Sequence, residues 1–395
     1  MNFWKSILPD DKKIVLWGIG EYGIYWARFM RHANRDFVLF DKSKRGRILI
    51  DETEYEIETP HSVDNPDEYL CFIIPFNKMD EIFDEAKRLG YSNIVFGQSL
   101  ISLPNSPNWG EEFIGFPYGH FYSPFPAISD VSNKYDEIRE NEKSGIDFDG
   151  IDLNVDEQLS LLQRFNYLFP SKPNWMNYAS KESSKYRYLI GNQAFGLTDA
   201  FILYAMLREK KPSRIIEIGS GYSSAVTLDT NEFYLDNSIN ITFVEPYPVN
   251  LNKILKKNDR QQCIIIEDMV QNVPLDTFEM LSEGDILFVD SSHVGKFGSD
   301  VIYIFYHILP RLKSGVIVHF HDIFYPWAYP KEWMLQGWCW NEVYLLRSFL
   351  QYNSQWKILY FSQYLAKEYN KAFIPEWIEQ GDLNDGTGSF WMIKK

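Results

Sequence analysis

The sequence predicts an α/β chain made of two parallel-sheet units, and three observations predict it. The first is Arg214-Ile-Ile-Glu-Ile-Gly-Ser-Gly-Tyr-Ser-Ser224, a β-branched apolar run that ends in a glycine-rich turn and continues into helix formers. The second is Lys12-Lys-Ile-Val-Leu-Trp-Gly-Ile-Gly-Glu-Tyr-Gly23, which has the same order of strand, glycine turn and helix. The third is a regular alternation of short apolar runs with amphipathic segments after each turn, the pattern of parallel strands joined by crossover helices.

In the first unit, residues 1–100, strands are expected at Lys12–Trp17, Phe37–Asp41, Tyr69–Ile74 and Asn93–Phe96, with helices over 21–32 and 77–89. Residues 101–190 change character. Proline, glycine, aromatics and acids mix without a period up to about residue 150, which reads as a connector. Asp156–Phe169 then reads as a helix with Leu159, Leu162 and Phe165 on one face, so the whole segment is a linker and helical cap. The second unit, residues 191–395, opens with a helix over Asn192–Arg208. Its strands are expected at Ile215–Ile218, Ile241–Glu245, Cys263–Glu267, Asp285–Asp290, Gly315–Phe320, Trp356–Phe361 and Ser389–Lys394, the last two as a terminal antiparallel pair.

Composition narrows the functional classes. A chain of 395 residues suggests two or three domains, and 45% apolar residues is ordinary for a globular protein. A net charge of −15 excludes a general nucleic-acid binder, which needs a basic surface, but not a nucleotide held at one local site. Cys71, Cys263 and Cys339 are odd in number, far apart and without a CxxC pair, so buried thiols in a reducing compartment are expected. The start lacks the long apolar core of a signal peptide, and no apolar run is long enough to span a bilayer. The expectation is a cytoplasmic protein with no membrane partner, whose 17% aromatic content is compatible with a homodimer.

The chemistry starts at the second glycine turn. Gly219 and Gly221 allow close approach of backbone to a ligand, and the helix that follows offers free N–H groups. Glu245 ends the next strand, 24 residues past Gly221. An acid there can accept hydrogen bonds from both hydroxyls of a ribose. The plain alternative is that Glu217 and Glu245 cap strand ends on a solvated rim.

These residues resemble class I S-adenosylmethionine-dependent methyltransferases over roughly residues 190–395. Glu217, Gly219, Gly221 and Ser223 match the family's E-x-G-x-G-x-S motif. Glu245 matches the ribose acid, with Pro246 and Tyr247 beside the adenine. Glu267-Asp268 matches the acidic position near the adenine amino group, and Asp285–Asp290 the fourth strand, whose tip faces the methyl group. The resemblance implies a Rossmann-like class I methyltransferase sheet with S-adenosylmethionine held by Glu217, Gly219, Gly221, Ser223, Glu245, Pro246, Asp268 and Asp290. Within that family, Asp290-Ser-Ser-His293 and His319-Phe-His-Asp-Ile-Phe324 are similar to a subgroup of sugar and polysaccharide O-methyltransferases.

Three of the seven histidines, His293, His319 and His321, fall with Asp290 and Asp322 at the ends of neighbouring strands. A histidine there can take a hydroxyl proton, which makes His293, His321 and Asp290 the catalytic candidates. Asp290, His321 and Asp322 are also a ligand set for a divalent metal. His319 and His321 point to one face of a strand, and either could instead be a satisfied core histidine. Tyr325, Trp327 and Tyr329 suit a stacked ligand or a core under a long loop. His120 reads as a lid over the cleft or as part of an aromatic linker.

Gly18, Gly20 and Gly23, with Asp41 at the end of the following strand, fit a dinucleotide fingerprint. The first unit therefore resembles the Rossmann-like domains found ahead of sugar-modifying enzymes. It holds NAD or another nucleotide, or it is a ligand-free docking or dimerisation domain. The full expectation is an enzyme that moves a methyl group from S-adenosylmethionine to a hydroxyl on a small or sugar-linked acceptor, within polysaccharide or natural-product biosynthesis. The rivals are an NAD-dependent oxidoreductase using the first glycine turn and a non-catalytic cofactor-binding scaffold.

Overall fold

Apolar runs too short to make buried helices form the strands of two separate sheets. The computed structural model describes residues 12–32, 34–74, 79–96, 123–144, 150–177, 184–192, 194–369, 372 and 387–395. The expectation for His120 lies outside the described residues. The chain divides into two compact units. One runs to Tyr135 and also takes Lys331–Cys339; the other comprises Asp136–Pro330 and Trp340–Lys395.

In the first unit, β1 (Lys13–Trp17) is followed by α1 (Glu21–His32), β2 (Phe37–Phe40), β3 (Gly46–Ile50), β4 (Thr53–Glu58), β5 (Tyr69–Ile73), α2 (Met79–Arg88) and β6 (Asn93–Phe96). The sheet order is β3-β4-β2-β1-β5-β6, parallel except for the β3–β4 hairpin. Strand alternation divides the core. Ile14 and Leu16 pack with Trp26 and Met30 on one face, while Val15 and Trp17 pack with Ile82 and Tyr91 on the other. The hairpin was not foreseen because its turn is Asp51-Glu52, both with positive φ, where an Asn-Gly pair would have announced it.

α3 (Ile128–Ser144) occupies part of the stretch read as an aperiodic connector. Ile128, Val131 and Tyr135 recur at helical spacing, and Val131 and Tyr135 pack with Leu335 in a small core of the first unit. The proline-rich residues before it hid that period.

The second unit contains α4 (Val155–Leu168), the short parallel pair β7 (Met176–Asn177) and β8 (Leu189–Ile190), and α5 (Leu197–Lys210). Its main sheet follows with β9 (Arg214–Ile218), α6 (Tyr222–Tyr234), β10 (Asn240–Val244), β11 (Cys263–Ile266), β12 (Ile286–Val289) and β13 (Ile317–Phe320). The chain ends through α7 (Glu342–Leu350), β14 (Trp356–Phe361) and β15 (Phe390–Lys394). α5 starts later than expected because the Asn192 side chain accepts from Ala194 N and Phe195 N and donates to Leu189 O, an Asx turn that delays the helix. From Thr198 to Leu207 every residue of α5 is buried, as for a helix covered on all sides.

The main sheet order is β11-β10-β9-β12-β13-β15-β14. β15 lies antiparallel between β13 and β14, as the expected terminal pair requires, although a helix, Ser362–Glu368, follows β14. This is the class I methyltransferase form of the Rossmann-like sheet. The chain builds outward from β9 to β11 and then returns to place β12 beside β9. That reversal opens a crevice at the carboxyl ends of β9, β10 and β12, where ligands of such sheets bind. No helix among the described residues is long and apolar enough to cross a membrane.

One buried ion cluster holds the outer edge of this unit. Arg187 donates in parallel to both oxygens of Asp259 (2.8 and 2.5 Å) and also to Asp229 and Glu232 (2.9 and 2.6 Å). Removing the guanidinium strands two buried carboxylates. Arg187→Ala is expected to cost about 3–5 kcal/mol in urea unfolding, and a loss below about 1 kcal/mol would show the cluster to be dispensable.

Candidate active site

Gly219 follows β9 with φ +81°, and a Cβ placed there would sit 1.7 Å from the Asp290 carbonyl oxygen. Only glycine lets the tips of β9 and β12 close in this way. Gly219 N donates to Val244 O (3.0 Å) and Asp290 N donates to Ile218 O (2.9 Å), so three strand tips are laced together. Gly221 N donates to Ser224 Oγ (3.1 Å), and nothing lies within 4 Å of a side chain built at Gly221. The glycine turn therefore faces open space at the start of α6.

A cleft of about 420 Å³ opens there, lined by Gly219, Glu245, Pro246, Met269 and Asp290 among others. Four of the expected cofactor residues, Gly219, Glu245, Pro246 and Asp290, line it. Glu245 accepts Ser220 N on Oε2 (2.9 Å) and Tyr247 N on Oε1 (2.8 Å). Each oxygen keeps one further lone pair, two acceptors in all. Asp268 is exposed next to Met269 and accepts from Met269 N and Asn272 Nδ2, both at 2.7 Å.

Glu217 and Ser223 lie behind this wall. Glu217 is fully buried; its Oε1 accepts from Ser223 Oγ (2.6 Å) and Ser224 Oγ (2.8 Å), and its Oε2 has no hydrogen-bond partner. Burial, with smaller contributions from Asp290 and Glu245, pushes its pKa up to about 8 against the relief given by the two serines.

The second cluster adjoins the first through Asp290. His293 Nε2 lies 3.4 Å from Asp290 Oδ1 and 3.6 Å from Asp322 Oδ2, and His293 Nδ1 lies 2.9 Å from Glu342 Oε2. His293 and Asp322 both have left-handed backbone, at φ +58° and +56°. Strain of this kind persists only where the surroundings hold it. The His293 carbonyl accepts from Asn341 N (3.0 Å) and Glu342 N (3.1 Å), and the Asn341 amide accepts from Gly295 N and donates to Gly295 O. Below Asp322, Gly388 approaches so closely that a Cβ there would lie 2.8 Å from Asp322 Cα. Gly388 is held by its neighbours Thr387 and Ser389, which donate to buried Asp199.

The electrostatics follow from the carboxylates. Burial opposes a charged His293, but hydrogen bonds to Asp290 and Glu342 and the nearby Asp322 charge outweigh it and hold the ring well above the usual histidine range. Burial raises Asp322. Burial also works to raise Asp290, but the imidazoles of His321 and His293 win and hold it below the usual aspartate range. The ligand atoms of Asp290, His293 and Asp322 lie within 4.8 Å of one another. Two carboxylates and one imidazole, the imidazole backed by a third carboxylate, fit a divalent cation.

His321 was expected in that set, but it stands beside it. Its Nε2 is 3.7 Å from Asp322 Oδ1, and its Nδ1 is buried without a partner. His319 is a core histidine. Its ring stacks on Phe288 (4.0 Å) and packs on Trp391 (4.4 Å), and burial, followed by the charge of His321, drives its pKa well below the usual value. Tyr325, Trp327 and Tyr329 are buried and belong to the core. Glu342, Asn341 and Trp340, whose ring lies 4.4 Å from that of His293, were not foreseen.

The first glycine turn has a different hydrogen-bond balance. Gly23 is needed because a Cβ there would sit 2.1 Å from Gly18 O, and Gly20 faces open space. Asp41, however, accepts Ile19 N on Oδ2 and Ser43 N, Ser43 Oγ and Lys44 N on Oδ1, all at 2.9 Å. Three of these fall on Oδ1 and one on Oδ2, so the buried Asp41 carboxylate keeps a single acceptor site, on Oδ2, where Glu245 keeps two.

Residues 216–323 match the family model described as a methyltransferase domain. The chain is also 34% identical over 178 residues to an uncharacterized protein of Archaeoglobus fulgidus, spanning 43% of this chain and 76% of that protein. The chain belongs to that protein's family and carries a methyltransferase domain. Among solved structures, it is similar to the SAH-bound Podospora anserina methyltransferase PaMTH1 (16% identity, 67% of this chain and 96% of that one, TM-score 0.33). It is also similar to the O-methyltransferase TomG from Streptomyces achromogenes in complex with SAM (14%, 66% and 96%, TM-score 0.34).

Glu217 gives the methyltransferase domain a pH signature. The unfolded chain releases this proton near 4.5, and the folded chain keeps it up to about 8. Its contribution to stability is complete below about pH 4.5 and is lost as pH rises towards 8. Glu217→Gln is expected to stabilise the chain at pH 8–9, by at most about 5 kcal/mol, and to change little at pH 4. Parallel pH–stability curves for the two proteins would contradict the buried, protonated assignment.

Proposed function

We propose that the chain transfers a methyl group from S-adenosylmethionine to a hydroxyl of a small or sugar-linked acceptor. The observation that carries this reading is the double position of Asp290, which lines the cleft and also contacts His293. A methyl donor in the cleft would sit next to groups able to handle the proton of an attacking hydroxyl.

The residues fit such a donor. The two free acceptor sites on Glu245 match the two hydroxyls of a ribose, and the open face before Gly221 leaves room for the methionine part. Acids around the cleft favour a sulfonium cation. In the transfer, the acceptor oxygen forms a bond to the methyl carbon as the sulfur–methyl bond breaks, leaving the neutral thioether. Without a cation, the hydroxyl proton goes to His293 Nε2 in molecules whose ring is neutral; with a cation bound, Nε2 is a ligand and His321, next to Asp322, takes the proton. A divalent cation held by Asp290, His293 and Asp322 would lower the pKa of a hydroxyl bound to it. Alignment of oxygen, carbon and sulfur supplies much of the acceleration. The sugar-linked acceptor rests on the resemblance of the Asp290–His293 and His319–Phe324 motifs alone.

The oxidoreductase reading lacks support because the buried Asp41 carboxylate already accepts four hydrogen bonds from the glycine turn and its own loop, which leaves one acceptor site for the two hydroxyls of a ribose. Binding measurements on variants test the choice. Glu245→Gln is expected to weaken S-adenosylmethionine binding by about 10-fold or more, the worth of one hydrogen bond to a charged group. Asp41→Ala should leave it unchanged. Unaltered affinity in the Glu245 variant would move the cofactor elsewhere. His293→Gln should retain cofactor affinity and lose transfer of a labelled methyl group to any hydroxyl acceptor that the wild type accepts.

A further inference from the structure

Glu342 has no place in the motifs of this chain, yet it is completely buried and touches His293 twice. Its backbone N–H donates to the His293 carbonyl at 3.1 Å, and its Oε2 lies 2.9 Å from His293 Nδ1. Its Oε1 accepts from Ser291 Oγ at 3.1 Å. Both carboxylate oxygens are thus occupied by one short loop, 49 residues away in sequence. A carboxylate can only accept, so His293 Nδ1 must carry the proton that it shares with Glu342. Once a bound cation displaces the ring's second proton, the lone pair is confined to Nε2, the nitrogen that faces Asp290 and Asp322.

We propose that Glu342 is a positioning residue that fixes the tautomer and orientation of His293, so that Nε2 is presented as a ligand to a divalent cation shared with Asp290 and Asp322. This rests on the reading of those three residues as a cation site. Ion pairing alone would also explain a buried Glu–His contact, but it favours the imidazolium, so its loss in an isosteric amide would ease cation binding rather than weaken it. Glu342→Gln separates the two. A glutamine keeps the shape, and its carbonyl oxygen can still accept from Ser291. In that orientation its NH2 group faces Nδ1, which must become the acceptor, and the proton moves to Nε2, where it blocks ligation; flipped, a neutral amide oxygen accepts from Nδ1–H more weakly than the carboxylate does.

The test is calorimetric titration of the full chain with Mn²⁺, for wild type and Glu342→Gln, with S-adenosylmethionine affinity measured on both. The expected result is Mn²⁺ binding to wild type, weakened about 10- to 100-fold in the variant, with unchanged cofactor affinity. Equal Mn²⁺ affinities would overturn the role of Glu342 while leaving the cation site intact. Absence of Mn²⁺ binding in wild type would remove the cation site and this proposal with it. Should the variant fail to fold, the cadmium-loaded wild type decides. Coupling of ¹¹³Cd to Nε2 of ¹⁵N-labelled His293 supports the assignment, and coupling to Nδ1 overturns it.

Discussion

The carbonyl of Asp290 passes so close to Gly219 that a side chain there would begin 1.7 Å from it. Both ends of the candidate site depend on that approach. It lets the tips of β9 and β12 meet at the point where the strand order reverses, and it brings the Asp290 side chain to the boundary between the cleft and the histidine cluster. Any residue with a Cβ at 219 would have to push β12 outward, taking Asp290 away from His293 and widening the floor of the cleft. The left-handed His293 and Asp322 are further consequences, each held by elements that reach the site from elsewhere: the start of α7 for one, the Thr387–Ser389 shelf for the other.

Four acids at glycine turns and strand ends look alike in sequence and do different work. Glu245 keeps two acceptor sites free and faces the cleft. Asp41 is buried and has one to spare, because the glycine turn and its own loop use the others. Glu217 is buried behind the turn and holds two serines. Asp290 is held charged by the imidazoles. What separates them is how many lone pairs the surrounding backbone consumes and whether water reaches the rest. Two glycine turns of the same kind can therefore differ in how many acceptor sites an acid keeps for a ribose.

The parallel strands of both sheets and the terminal antiparallel pair were legible in the sequence because apolar runs bounded by turns have few other ways to be buried. So were Gly219, Glu245 and Asp290, whose positions follow from the order of strand, turn and helix. The β3–β4 hairpin was not, since Asp51-Glu52 lacks the usual turn chemistry. The limits at the site have the same origin. His321 was assigned to the ligand set by its place at a strand end, whereas the left-handed turn at His293 swings that ring between Asp290 and Asp322 instead. Glu342 arrives from the far side of a long excursion, and nothing local marks it; a buried acid on a short helix gives no sign of its partner until the fold is closed.

Hydrogen exchange of the intact chain, with and without saturating S-adenosylmethionine, tests the central claim most directly, because it reports which glycine turn is covered. The account predicts slowed exchange at Gly219–Ser224 and Glu245–Tyr247, with no change at Gly18–Gly23. Protection at Gly18–Gly23 with none at Gly219–Ser224 would contradict it and move the cofactor to the first unit.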